Sequence, residues 1–129
     1  MQSIAELQTE NVLRQEVVFS TLNVFGRTMS LQNKGLNGRD HNANHHCMVM
    51  IGDAIEPGVV GGITPTGNDW GATAIDSATG ASAEAGDIPY EQTFASAAKT
   101  LGCALGISRA DLDELIADGQ PVLSAIKTG

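Results

Sequence analysis

Residues 53–89 hold Gly58, Gly61, Gly62, Gly67, Gly71, Gly80 and Gly86 together with Pro57, Pro65 and Pro89, and no apolar periodicity is sustained through them. A structureless stretch of this length inside a compact domain is usually functional, mobile or packed on a partner. It also divides the chain. Before it lie two short apolar runs, residues 17–22 and 46–51, read as strands; the first is too apolar on both faces for a surface strand, as expected in a parallel sheet covered by helices on both sides. After it, Phe94, Ala98, Leu101 and Leu105 recur at helical spacing and predict a helix over residues 90–105, ended by Gly106, with Ala95, Ala97 and Gly102 as a small face for close packing.

Two further helices are predicted by their starts. Ser3 to Glu6 and Ser108 to Asp111 both have capping-box form, a hydroxyl for free backbone amides with an acidic residue three positions on. The first opens a helix ending near Gln15. The second opens one that directs Leu112, Leu115 and Ile116 inward and stops at Gly119 and Pro121, after which Val122, Leu123 and Ile126 dock the C-terminus. The reading is an α/β fold: part of a three-layer sandwich with a mostly parallel sheet and a long irregular loop between the second strand and the C-terminal helices.

With 129 residues the chain is one domain or part of one, and with 4% aromatic residues its core must be aliphatic. Its net charge of −8 is uneven. Residues 53–91 carry Asp53, Glu56, Asp69, Asp76, Glu84, Asp87 and Glu91 with no Lys or Arg, a surface that repels nucleic acid and anionic lipid. No apolar run reaches the ~20 residues of a membrane span, and the N-terminus lacks the basic-then-apolar pattern of a signal peptide. Cys47 and Cys103 sit in apolar surroundings where a free, inert thiol is the common outcome, a Cys47 nucleophile beside a histidine being the rarer one.

The chemistry-bearing residues cluster. Asp40, His41, His45 and His46 lie within seven positions, and imidazole with carboxylate suits Zn, Fe or Mn, and carboxylate also suits Ca. His45 and His46 point to opposite faces if the strand has begun, so one of them at most joins His41. The competing reading is a polar loop in which Asp40 accepts backbone amides and one histidine is a satisfied core residue. Arg27 and Arg39 could each grip a phosphate or sulfate bidentately, or pair with Asp40.

The order Phe25-Gly26-Arg27-Thr28, a loop, Gly38-Arg39-Asp40-His41, a strand ending at Gly52, then Gly61-Gly62 resembles the C-terminal part of the bacterial domain-of-unknown-function family 1501. Residues 88–91, 101–107 and 119–122 are similar to that family's closing helix and tail, so the resemblance spans about residues 17–122. Members look like distant relatives of the alkaline phosphatase and sulfatase superfamily, commonly exported, with metal ligands on loops after the strands. The resemblance thus implies an alkaline-phosphatase-like C-terminal portion of a larger domain, with any export signal outside this chain. It implies metal-dependent hydrolysis of a phosphate or sulfate ester, with Asp40, His41 and His46 as metal ligands, His45 as a further candidate, Zn, Fe, Mn or Ca as the divalent ion, and Arg27 and Arg39 as anion grips on a small anionic substrate. Val24 and Phe25 stand where the superfamily has an acidic ligand and a histidine, so the implied metal site is incomplete and no nucleophile can be named. The alternative is a catalytically silent binding or assembly domain, self-associating as a homo-oligomer or docking with a missing N-terminal part.

Overall fold

A computed structural model describes residues 17–30, 34–35 and 38–127. The helix expected over residues 3–15 lies outside the described residues. Strand β1 (Phe19–Leu22), β2 (Gly26–Arg27), β3 (Lys34–Gly35), β4 (Gly38–Arg39), β5 (His41–Asn42) and β6 (Met48–Ile51) pair as β1 with β6, β2 with β5 and β3 with β4, all antiparallel. The pairs are nested, so this arm is one long irregular hairpin. Phe19 faces Ile51 at one end of the ladder and Arg27 faces His41 further in.

The expected three-layer, mostly parallel, alkaline-phosphatase-like sandwich is therefore corrected. Both strands read from the sequence exist, but they pair directly with each other in opposite directions. A parallel pair needs a crossover of a dozen or more residues, usually a helix, and the nested short ladders between β1 and β6 bring the chain straight back instead. Apolarity on both faces of residues 17–22 predicts cover by helices, yet Ser20, Thr21 and Leu22 of β1 are exposed. In the structure Met48 and Met50 are half-buried against a cleft, whereas Val49 and Ile51 remain 47% and 46% exposed. The pattern marks a face without cover among the described residues.

The glycine-rich stretch is also more ordered than its composition suggests. Strands β7 (Ile63–Thr66) and β8 (Asp69–Ala72) form a tight hairpin with Thr66 opposite Asp69, and Gly67 takes the positive φ of 58° that a two-residue loop of this kind asks of its first residue. Beyond it Ile75 and Ile88 exchange both backbone hydrogen bonds, at 2.9 and 3.0 Å, and Ile88 is fully buried. A Cβ on Gly86 would run into the Ile75 backbone, at 2.5 Å, so the chain passes there only as glycine. Residues 53–89 thus build a hairpin and part of the core.

A short 3₁₀ turn, Tyr90–Gln92, leads into helix α1 (Thr93–Ala104). The backbone amides of Gly106 and Ile107 bond the carbonyls of Cys103 and Gly102, and Gly106 has φ 82°, so α1 ends in the Schellman form that its Leu-Gly sequence promises. Helix α2 (Arg109–Leu115) starts as read: Ser108 Oγ accepts from the Asp111 amide at 3.2 Å. Leu112 packs so closely that a Cβ on Gly102 would lie 2.5 Å from it. Leu115, expected inside, is 78% exposed because α2 is too short to carry it over α1.

Helix α1 lies the other way round from its apolar pattern. Its buried residues are Ser96, Lys99, Thr100 and Gly102, while Phe94 and Leu105 of the apolar stripe are 44% and 50% exposed. Hydrogen bonding explains the choice. Ser96 Oγ accepts from the Gln120 amide, Thr100 Oγ1 accepts from the Val122 amide and donates to the Ser96 carbonyl, and Lys99 donates to Asp113 and to the Gly119 carbonyl. This polar stripe straps the C-terminal segment onto the helix.

Candidate functional site

The two motifs that carried the family resemblance turn out to be facing strands. Gly26 and Arg27 of the first pair with Asn42 and His41 beside the second, and the Thr28 amide extends the ladder by donating to the Asp40 carbonyl at 3.0 Å. Alternation along an extended strand then puts Arg39 and His41 on one face with Arg27, and Asp40 on the other. Asp40 makes no ion pair with either arginine among the described residues. Its amide donates to Thr28 Oγ1 at 3.0 Å.

Each histidine has a separate seat. The His41 ring lies on Phe25 with centroids 3.8 Å apart, and the Arg27 guanidinium carbon is 5.3 Å from the centre of the same ring. The His45 ring packs over Gly26, where any Cβ would collide with it, and its Nε2 meets the Arg27 carbonyl at 3.1 Å. A carbonyl only accepts, so that nitrogen carries the proton and is engaged. The His46 ring stacks on Phe94 of α1 at 4.0 Å. Partial burial, and then the neighbouring His45, hold His46 below the ordinary imidazole pKa. Among the described residues no three His, Cys, Asp or Glu side chains are grouped as a metal ion would need.

What holds the loop is a set of residues that the sequence reading passed over. Asn42 is 6% exposed; its Nδ2 donates to Asp69 Oδ2 at 3.1 Å and to the Trp70 carbonyl at 2.9 Å, and its Oδ1 accepts from the Asn44 amide at 2.8 Å. Asp69 Oδ1 accepts from the Met29 and Ser30 amides, each at 2.8 Å. Desolvation raises the Asp69 pKa, but those amides, the Trp70 amide and Asn42 outweigh it and leave the carboxyl below its usual range. Asp69, on the β7–β8 hairpin, plays the amide-accepting role that Asp40 was expected to play. The Ala72 amide donates to the Asn44 carbonyl at 2.7 Å, and the Tyr90 hydroxyl donates to the Ala43 carbonyl. The signal available in sequence was the Asn42 that follows His41 and the chain's sole tryptophan beside an aspartate.

Cys47 and Cys103 are free thiols, and Cys47 is exposed rather than in the core because none of the described residues covers the outer face of β6. On the inner side of β6 lies a cleft of about 450 Å³, lined by Met48 and Met50 of β6, by Val60 and Ile75, and by Ala97 and Val122. The lining is mainly aliphatic.

No helix among the described residues is long and apolar enough to cross a membrane. Neither the curated proteins nor the solved structures contain a match to the chain. A family model described as a protein of unknown function (DUF1501) matches residues 3–83, which include both motif strands, the histidine loop and the β7–β8 hairpin, and stops before α1. The match covers more than half of the chain, so the protein belongs to family DUF1501.

Proposed function

We propose that this chain is a binding and assembly domain, catalytically silent by itself, that self-associates through uncovered apolar surface. The observation that carries the reading is the inverted helix α1, which buries Ser96, Lys99 and Thr100 and leaves Phe94 and Leu105 exposed. Val49 and Ile51 on β6 add a second bare apolar strip. Large apolar side chains left exposed on α1 and β6 supply surface of the type that marks interaction sites in soluble proteins. The homo-oligomer expected from the sequence is the assembly it fits. Light scattering should give a mass above the 13.4 kDa of one chain at micromolar concentration, and Leu105→Glu should reduce it toward that of a monomer. A compact wild-type monomer at the same concentration would overturn the proposal.

A second reading gives the chain a share in metal-dependent hydrolysis of a phosphate or sulfate ester. It is favoured by the exposure of Asp40 and His41 on the motif strands. Because they lie on opposite faces and His46 is stacked on Phe94, a Zn, Fe, Mn or Ca ion would need donors beyond these three or a rearrangement of the loop. Elemental analysis together with thermal shift tests this reading. An ion bound only by the folded chain must raise its melting temperature, and no metal content with no shift would end it.

A further inference from the structure

We propose that the cleft on the inner side of β6 binds a small alkylammonium, an unbranched aliphatic chain ending in a protonated amine, with the Glu56 carboxylate receiving the amine at the mouth. The inference goes beyond self-association and does not depend on it.

The walls select the chain. A volume of about 450 Å³ lies in the range of small-molecule sites, and Met48, Met50, Val60, Ile75 and Val122 give the cleft aliphatic and thioether sides. Methionine, with three rotatable bonds, adjusts to a flexible occupant, and among the described residues no Phe, Tyr or Trp lines the cleft to stack on a flat one. A slender aliphatic chain fits such walls.

The polar groups of the wall select the head. Thr73 Oγ1 bonds Ser82 Oγ at 2.7 Å, Thr93 Oγ1 donates to the Tyr90 carbonyl at 2.7 Å, Ser96 Oγ accepts from the Gln120 amide at 3.1 Å and Thr100 Oγ1 accepts from the Val122 amide at 2.9 Å, so every lining hydroxyl is engaged within the chain. The His46 ring is stacked on Phe94. Glu56 is different: it lines the cleft, is exposed, and its carboxylate has neither a hydrogen bond nor an ion pair among the described residues. Its backbone is fixed, the Glu56 amide donating at 3.0 Å to the carbonyl of Ala125, which lines the same cleft. No Lys or Arg lines the cleft, and residues 53–91, which supply much of its wall, hold seven acidic residues and no basic one, so the mouth draws a cation and repels an anion. An ammonium at an exposed carboxylate stays partly in water and escapes the full cost of desolvation, but the pair is weak. The chain therefore supplies affinity and the head supplies selection.

The test is calorimetric titration of the whole chain at low salt with n-octylammonium, n-hexylammonium and octanoate. Octylammonium should bind with a dissociation constant on the order of 1 mM or below, hexylammonium about tenfold more weakly for its two missing methylenes, and octanoate at least about tenfold more weakly for its charge. Glu56→Gln, a change at an exposed position that folds as the parent does, should cut the preference for octylammonium over octanoate several-fold. Ala97→Leu fills the cleft and should weaken octylammonium about tenfold or more, its melting curve showing that it is folded. Equal affinity for octanoate, an unchanged preference in Glu56→Gln, parent-like binding in folded Ala97→Leu, or no heat from octylammonium up to roughly 10 mM would overturn the assignment.

Discussion

The arm formed by residues 17–52 and the body that follows residue 75 are held by different forces. All three hydrophobic side chains buried among the described residues, Ile88, Leu112 and Val122, belong to the body. Among the described residues the arm's buried side chains are Thr28 and Asn42, both polar, and one tight backbone contact in it is Gly26 under His45. A hydrogen bond contributes about 1 kcal/mol net, whereas burying a large aliphatic side chain contributes about 2 kcal/mol. The body thus combines apolar burial with the hydrogen-bonded polar stripe of α1, whereas the arm rests on directional bonds to Asp69, Trp70, Ala72 and Tyr90. An arm held in this way keeps its shape while presenting apolar strips and charged groups to whatever it meets.

The sharpest way to break this contrast is Ile88→Ala. Ile88 is fully buried and pairs with Ile75, so its loss should cost about 3 kcal/mol and lower the calorimetric melting temperature by several degrees. A cost under about 1 kcal/mol would mean that the body is no better packed than the arm. Asn42→Ala probes the other side. It removes two donated bonds and one accepted bond and leaves Asp69 Oδ2 without its partner, at a cost of about 2 kcal/mol. Hydrogen exchange should then quicken through residues 26–45 first, with the amides of α1 keeping their protection. Loss of protection in α1 at the same rate would show that arm and body unfold as one unit.

How much of this was legible depends on whether the information was local. The Ser108 cap, the Gly106 stop and the close contact at Gly102 are written in neighbouring residues and were read correctly. The two strands were found, but their direction was not, because apolarity on both faces describes a surface awaiting cover as well as a covered one. The orientation of α1 failed for a related reason. Its polar stripe is satisfied by residues 119–122, some twenty positions away, and periodicity alone ranks Ser96, Lys99 and Thr100 as outward. At the histidine loop the motif residues were named, but their separation across two faces follows from the ladder register. Asn42 and Asp69 are 27 positions apart, and their bond is invisible without the fold.

Acid should separate the two regions further. His46 sits in the arm with a folded-state pKa below the ordinary value, so the contribution of its neutral ring is fully present above about pH 6.5 and declines as pH falls through the lowered value. Asp69, which ties the arm to the β7–β8 hairpin, and Asp113, lowered first by the hydrogen bond from Lys99, are also depressed. Their contributions are present above the ordinary carboxylate range and are lost below about pH 4. Two steps are expected in an acid titration followed by intrinsic fluorescence and circular dichroism. The upper step follows His46, stacked on Phe94 of α1, and the lower follows Asp69, bonded by the Trp70 amide, together with Asp113 beside Lys99. His46→Gln should remove the upper step, and its persistence would assign that step elsewhere.

The smallest expected effect sharpens the comparison most. Val49 lies on β6 opposite Thr21, is 47% exposed, and borders the cleft. Replacing it by Thr keeps the β-branched shape and strand preference while adding a hydroxyl that water can satisfy, so stability should change by no more than about 0.5 kcal/mol. If the bare strip on β6 takes part in self-association, the same change should weaken assembly measurably, because the hydroxyl is desolvated only when a second chain covers it, at about 1 kcal/mol or more per interface. Sedimentation at several concentrations would show a several-fold rise in the dissociation constant with an unaltered melting profile of the monomer. A large stability loss with unchanged assembly would mean instead that Val49 packs within its own chain, and that the arm has a hydrophobic anchor after all.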